Sequence, residues 1–457
     1  MAVGSGTTGH GAPAGATPAP IGFDGHHPPE RALVRDCVHC GFCLPSCPTY
    51  VIWGEEMDSP RGRIHLMEQL LDGAELGPAA VEHFDRCLSC MACVSACPSG
   101  VQYDKLIEAT RAQVERRAPR SRSERVTRGA VFALFPYPRR LRVARAALVA
   151  AERIGLRSFV RSSAGARLVP GPLRRMEAIA PRCGPVEHLT RRVRAQGTRR
   201  GTVGLLTGCV QRVFFSEVNA ATARVLAAEG FEVVVPPAQG CCGALSGHAG
   251  REDEALRFAR STIDAFDDAG VDTVVVNAAG CGSAMKEYAH LLRDDPAYAQ
   301  RARAFSERTR DVTELLVAAG PVATRHSLHG VVAYQDACHL AHAQQIRDAP
   351  RALLGGIPGL ELRPLAEAEL CCGSAGVYNL LEEEAATELG DRKAAIVAAA
   401  EPELLVSANP GCLMQISAAL ARRGATVPVA HLIQVLDASL RAAPLPGSQA
   451  YGGGPTT

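Results

Sequence analysis

CVHCGFCLPSCPTY at residues 37–50 and CLSCMACVSACPSG at residues 87–100 carry four cysteines each, and both spell C-x2-C-x2-C-x3-C-P. Three closely spaced thiolates can wrap three corners of an iron-sulfide cubane, while the fourth, turned away before a proline, reaches across to a neighbouring cubane. On that logic Cys37, Cys40, Cys43 and Cys97 hold one [4Fe-4S] cluster, and Cys87, Cys90, Cys93 and Cys47 hold a second. Paired zinc sites are the competing reading, but zinc ribbons normally leave a longer gap between two C-x2-C halves. Two cubanes that exchange their fourth ligands sit close enough for an electron to step between them. The segment is built as a wire.

A second constellation follows. Cys209, then Cys241 and Cys242 in GCCGA, then Cys281 in AGCGS are matched by Cys338, then Cys371 and Cys372 in LCCGSAG, then Cys412 in PGCLM. Corresponding cysteines are offset by 129, 130, 130 and 131 residues, which indicates a duplicated unit of about 130 residues. Adjacent cysteines are hard to place as two ligands of one small tetrahedral ion, but they suit a larger or irregular iron-sulfur cluster. Structural zinc and a redox disulfide between neighbours remain alternatives. These eight cysteines are therefore candidate ligands of an additional cluster or of zinc. Gly243 and Gly373, directly after the pairs, permit a tight turn or a close backbone approach.

The elements that must position these residues can be read from pattern. At 457 residues the chain exceeds one core, so two or three domains are expected. Between the first two motifs, GRIHLMEQLLDG places Ile64, Leu66, Met67, Leu70 and Leu71 at helical spacing and should pack against both motifs. In the duplicated half, VGLLT, FEVVV and DTVVVNA alternate with helical runs, as do VVAYQ, LELRPL and ELLVSAN. That order predicts parallel sheets with crossover helices, and it sets Cys209, Cys281, Cys338 and Cys412 just past strand carboxyl ends, where open α/β sheets place ligands. The expected fold is α+β/α/β: an N-terminal helical ferredoxin-like domain with two [4Fe-4S] clusters, followed by two duplicated α/β units. The expected boundaries are a tail at 1–29, the two-cluster domain at 30–110, an Arg-rich helical connector at 111–200, the units at 201–325 and 326–440, and a mobile tail at 441–457.

The connector holds 23 Arg and no Lys against 5 Glu and no Asp, a balance of +18 in a chain whose total is +2. Its arginines interleave with apolar residues as amphipathic helices do, without an aromatic stacking platform. We read it as a docking surface for an acidic partner or a membrane face, with a plain solvated connector as the alternative, and not as a nucleic-acid site. No window is long and apolar enough to span a bilayer, and residues 1–29 lack the pattern of a secretory leader, so a cytoplasmic location with peripheral membrane contact is expected. Seventeen cysteines in that setting read as reduced and metal-bound. There is no G-x-G-x-x-G after a strand and no base–nucleophile arrangement, so neither flavin nor NAD, and no catalytic residue, is assigned to this chain.

Other residues receive plainer readings. Cys183 is an incidental thiol, His26 and His27 belong to the tail, and His339 is read as a satisfied loop histidine ahead of a ligand or a hydrogen-bond donor to a thiolate. Arg61 and Arg63 either offset cluster charge or pair with a carboxylate; Tyr50 and Trp53 pack over a cluster; Glu382, Glu383 and Glu384 form a solvated helix face.

The paired motifs followed by two CCG units, with the strings DSPRGRI, GCCGA, ACHLAHAQ and ELCCGSAG, resemble the glycolate oxidase iron-sulfur subunit family from about residue 30 to 440. Iron-sulfur subunits of anaerobic glycerol-3-phosphate dehydrogenase, lactate dehydrogenases and heterodisulfide reductases share this architecture. The last group often ends the CCG unit in C-x-x-C, where this chain has Cys281-Gly-Ser-Ala and Cys412-Leu-Met-Gln. The resemblance implies oxidation of glycolate to glyoxylate at a flavin on FAD-binding partner subunits, with this chain passing electrons to a quinone-like acceptor. The alternatives it leaves are the corresponding subunit of an anaerobic glycerol-3-phosphate or lactate dehydrogenase, or a heterodisulfide reductase-like catalyst acting at a CCG-bound cluster.

Overall fold

The computed structural model describes residues 22–447; the outer parts of both expected tails, 1–21 and 448–457, lie outside the described residues. Among the described residues no strand precedes Arg192. In the N-terminal region the helix Pro60–Leu71 is capped by Ser59, whose hydroxyl accepts from Gly62 N at 3.0 Å, and opens on a proline that fits a first turn. Its Ile64, Met67 and Leu70 are buried against Phe84, Cys87, Met91 and Cys93, with Cys37, Cys43, Leu66 and Leu71 at the rim of the same cluster. One apolar stripe therefore touches both motifs, as its spacing predicts.

The helix Tyr103–Arg117 runs straight through the boundary expected at residue 110. It also recovers residues 22–29, which do not behave as a tail: Gly22 N donates to Ala74 O at 2.7 Å, and Gln113 Nε2 donates to Asp24 Oδ1 and His26 O, both at 2.8 Å. Gly and Pro richness hid a segment held by backbone hydrogen bonds. The Arg-rich connector forms helices Arg122–Leu134, Pro138–Arg153, Leu156–Arg161, Ser163–Leu168 and Gly171–Ile179. The first begins with a capping box between Ser121 and Glu124, and its Val131 and Phe132 are buried against Val377 and Leu380.

Nine strands follow: β1 (Arg192–Val193), β2 (Gly201–Leu205), β3 (Phe231–Val234), β4 (Thr273–Val276), β5 (Thr309–Asp311), β6 (Gly330–Gln335), β7 (Leu360–Arg363), β8 (Leu404–Ser407) and β9 (Val429–His431). They make two sheets, ordered β1-β3-β2-β4-β5 and β7-β6-β8-β9. Every pair is parallel except β1 with β3. The parallel sheets follow the expected alternation, while β1, β5 and β9 are two or three residues long and left no periodic signal. Val203, Leu205, Val233 and Val275 of one sheet share a single core with Val332, Tyr334, Leu404 and Val406 of the other. The two units are thus joined through buried apolar surface, the main favourable term in folding, rather than strung as separate beads.

Candidate metal centres

In both N-terminal motifs the backbone curls the same way. His39 and Gly41 in the first, and Ser89 and Met91 in the second, all have positive φ (+54°, +85°, +51° and +63°). Three of these are not glycine, and such strain is kept where a site needs it. Here it turns amides toward sulfur, with Ser89 N donating to Cys87 Sγ at 3.4 Å.

The structure brings the cysteines together across the motifs. Burial raises the Cys37 thiol, with Cys97 and Cys40 close enough to add to the effect. Burial likewise drives Cys90 and Cys93 well up, and Cys47 is among the thiols that reinforce both shifts. Cys43 is pushed up to about 11 by burial. Cys97 thus lies beside the first motif and Cys47 beside the second. All eight are free thiols, exposed at Cys40 and buried at Cys47, Cys87, Cys90 and Cys93.

Two buried arginines answer this concentration of sulfur. Burial raises Cys87, but the Arg63 and Arg111 guanidiniums outweigh it and its thiol is lowered. Arg63 is fully buried, donates to His83 O and Asp58 O at 2.6 Å each, and pairs with Asp58 at 3.2 Å. Arg61 pairs with Glu56 at 2.6 Å, so both arginines of PRGR take a carboxylate, and Arg63 also faces Cys87 and Cys47. Arg111 was missed because it opens the Arg-rich connector. It is buried and reaches Ser89 Oγ at 2.6 Å, His248 O at 2.7 Å and the Cys87 carbonyl, with no carboxylate partner. Trp53 is half-buried against Cys90, Cys338 and Cys371 and carries the Arg86 guanidinium at 4.6 Å; Tyr50 is half-buried beside it in sequence.

In the C-terminal half, Cys209, Cys281, Cys338 and Cys412 follow β2, β4, β6 and β8, and the CC pairs follow β3 and β7. Gly243 (φ +84°) and Gly373 (φ +86°) make the turns after those pairs; a Cβ at Gly373 would sit 2.7 Å from Ala386 O. In the first unit Cys241 contacts Cys209 and Cys242, and Cys242 contacts Cys281. In the second, Cys338 and Cys371 sulfurs are 3.9 Å apart, and Cys372 is held up to about 12, first by its contact with Cys371. All eight line one cavity of about 130 Å3 between the units. Cys90 of the second N-terminal motif packs in the same cluster as Cys338 and Cys371, so N- and C-terminal sulfur sites are contiguous.

Ligand spacing tests what these sulfurs could hold. One tetrahedral zinc with bonds of about 2.3 Å needs thiolate sulfurs roughly 3.8 Å apart. Among the described residues no three cysteines bring their ligand atoms within 4.8 Å of one another; the group that does is His26, His27 and Glu252. Cys338 and Cys371, 3.9 Å apart, approach the edge of such a tetrahedron, so the pairwise spacing fits a shared metal centre without choosing between zinc and an iron-sulfur cluster.

Some readings need correction. His339 is not a satisfied loop histidine: its Nε2 is buried without a partner, Nδ1 lies 3.7 Å from Cys338 Sγ, and its ring lies 4.9 Å from that of His248. Burial lowers His339 to about 3. His248 was not singled out by the sequence. Nor was Lys393, which is buried, donates to Glu367 O and partly offsets the strong upward push that Cys372 and burial give the Cys412 thiol; the 131-residue offset puts Thr262 at its place in the first unit. Glu382 is half-buried and raised to about 7 by burial, whereas Glu383 and Glu384 are exposed as expected. Cys183 stays apart from both sets, half-buried near Pro181 O at 3.9 Å.

Fold and site define a class: a cysteine-rich iron-sulfur protein joining a ferredoxin-like region to two CCG repeats. Residues 33–101 match the 4Fe-4S dicluster domain, residues 203–286 and 332–417 the cysteine-rich CCG domain, and residues 123–180 the linker region of the glycolate oxidase iron-sulfur subunit. The chain is 40% identical over 417 residues to the probable glycolate oxidase iron-sulfur subunit of Bacillus subtilis, covering 89% of this chain and 94% of that one. It is 35% identical to the glycolate oxidase iron-sulfur subunit of Escherichia coli, covering 90% and 95%. Lactate utilization protein A of Geobacillus kaustophilus is 34% identical, covering 52% of this chain and 98% of that protein. The chain belongs to the glycolate oxidase iron-sulfur subunit family.

Proposed function

We propose that this chain is the electron-transfer subunit of a glycolate-oxidising complex, taking electrons from FAD on a partner subunit and delivering them to a quinone-like acceptor. The observation that carries this reading is the unbroken run of sulfur sites, from exposed Cys40 through buried Cys87, Cys90 and Cys93 to Cys371 and Cys338. Oxidising glycolate to glyoxylate releases two electrons and two protons, and iron-sulfur clusters supply one-electron steps. Cys37, Cys40, Cys43 and Cys97 would hold one [4Fe-4S] cluster and Cys87, Cys90, Cys93 and Cys47 the other. Arg63 and Arg111 place positive charge beside Cys87, while Trp53 and Tyr103 limit water around the second site. We assign the sets in the two duplicated units to further cluster ligands on the strength of their contacts and their adjacent cysteines.

The connector supports peripheral membrane docking, where a quinone would be met: its helices expose Val126, Val143, Ile154, Leu168 and Leu173 among arginines. No helix of the described residues is long and apolar enough to cross a membrane. A second reading, chemistry at the CCG sites themselves, is favoured by the shared cavity and the unpartnered His339.

Iron and acid-labile sulfide per chain, measured on anaerobically purified protein and on a variant with Cys→Ser at Cys241, Cys242, Cys371 and Cys372, tests the C-terminal cluster assignment on which the second reading depends. Two clusters' worth of iron in both proteins supports a two-cluster wire. Iron lost only from the variant gives the C-terminal half its own redox centre and raises the catalytic reading.

A further inference from the structure

The N-terminal segment crosses to the first α/β unit at one place. There His26 Nε2 lies 3.6 Å and His27 Nδ1 2.5 Å from the carboxylate of Glu252, the first residue of the helix Glu252–Asp267. The two imidazoles are stacked with centroids 4.2 Å apart, so both present nitrogen to the same carboxylate. All three ligand atoms lie within 4.8 Å of one another. We propose that His26, His27 and Glu252 bind a divalent transition-metal ion, with Zn2+ the best fit.

The donor chemistry carries the choice of ion. Two imidazoles and one carboxylate suit zinc, which takes His nitrogen at about 2.0–2.1 Å and accepts water in a fourth position. Mg2+ and Ca2+ take oxygen ligands, so two imidazoles select against them. The geometry needs small changes: the carboxylate stands off from His26 by little more than the roughly 3.4 Å edge of a zinc tetrahedron, and the short contact to His27 opens as the ion enters.

The surroundings hold the donors in place. Asp24 N donates to Gln113 Oε1 at 2.9 Å, fixing the chain two residues before His26. Arg116 bridges Asp24 at 3.1 Å and Glu252 Oε2 at 3.3 Å, leaving Oε1 toward His27. Asp294 Oδ2 lies 3.6 Å from His27 Nε2, the ring nitrogen away from Glu252, and its negative charge favours the ring orientation that turns Nδ1 toward Glu252. His27 and Glu252 also line a cavity of about 140 Å3 that reaches Cys242. An ion here clips the segment shut across that cavity's rim and is separate from every cysteine site.

The test uses tag-free holoprotein equilibrated with Zn2+ against a chromophoric chelator, with zinc and iron counted by elemental analysis. The wild type should bind one more zinc per chain than His26→Ala/His27→Ala, and Glu252→Gln should weaken that zinc at unchanged iron. Added Zn2+ should protect the chain from proteolysis near residue 25 in the wild type and not in the double variant. Equal zinc in wild type and double variant, or no protection by Zn2+, overturns the proposal. Absence of iron from the wild-type holoprotein before zinc is added would instead count against the electron-transfer reading, so the two can fail separately.

Discussion

Replacing Arg111 with methionine removes a buried positive charge beside the second cysteine motif while keeping much of the side-chain volume. Its guanidinium touches Ser89 Oγ at 2.6 Å and the Cys87 carbonyl, and Ser89 N in turn contacts Cys87 Sγ at 3.4 Å. For groups two contacts apart we take a separation of about 7 Å between that charge and a centre held by Cys87, as an order-of-magnitude value. At an effective dielectric of about 20, the interaction is about 332/(20 × 7), or roughly 2.4 kcal/mol. For one electron this corresponds to about 100 mV. An added electron is less stabilised without the arginine, so the potential of that cluster should fall by about 100 mV in an EPR-monitored redox titration. The methionine also leaves buried carbonyls without a donor, at roughly 1–3 kcal/mol each, so the variant should melt earlier. Arg111→Lys separates charge from hydrogen bonding: it should lose stability yet stay near the wild-type potential. Arg125→Met, at an exposed position, should shift nothing because solvent and salt screen it. An unchanged or raised potential in Arg111→Met would refute the electrostatic reasoning.

Cys97→Ser should abolish the cluster otherwise held by Cys37, Cys40 and Cys43, and Cys47→Ser the other, each leaving the EPR signal of the remaining N-terminal cluster; loss of the opposite signal would show that the fourth ligands are not exchanged. Gly373→Ala forces a side chain onto φ +86° with its Cβ 2.7 Å from Ala386 O, so it should cost about 1–3 kcal/mol or more, whereas Gly424→Ala, at φ +69° with open space, should cost less in the same thermal melts. Asp311 is buried, and burial raises its carboxyl to about 6 from 3.8. The folded state therefore binds the proton more tightly, and stability is lost as pH rises through the window from about 4 to 6. Asp311→Asn keeps a good N-cap and should gain about 1–3 kcal/mol over the wild type at pH 8 but little at pH 4; a pH-independent difference would defeat this.

The chemistry of the chain was legible because cysteine spacing is a local, one-dimensional signal. Two C-x2-C-x2-C-x3-C runs and a 130-residue offset point to ligand sets without any knowledge of packing. Strands β2, β4, β6 and β8 were legible for the same reason, each being an apolar run bounded by turn signals. What escaped was tertiary. Arg111 reads as one more arginine in a basic stretch until the helix Tyr103–Arg117 turns it inward against Cys87 and His248. Lys393 looks like a surface lysine until the helix Glu383–Ala400 turns it inward beside Cys371 and Cys372. His26 and His27 sit in a Gly- and Pro-rich stretch whose fixed position depends on Gln113 and Glu252, far along the sequence. The contiguity of Cys90 with Cys338 and Cys371 could not be read at all, since it depends on how the helical region seats on the sheets.

The central claim is that electrons released by glycolate pass through this chain. It is tested most directly by mixing the anaerobic, oxidised complex with glycolate in the absence of acceptor and freezing samples over time for EPR. The account predicts reduced [4Fe-4S] signals that appear after flavin reduction and vanish when a quinone is added. Full flavin reduction and quinone turnover while the clusters stay oxidised would contradict it.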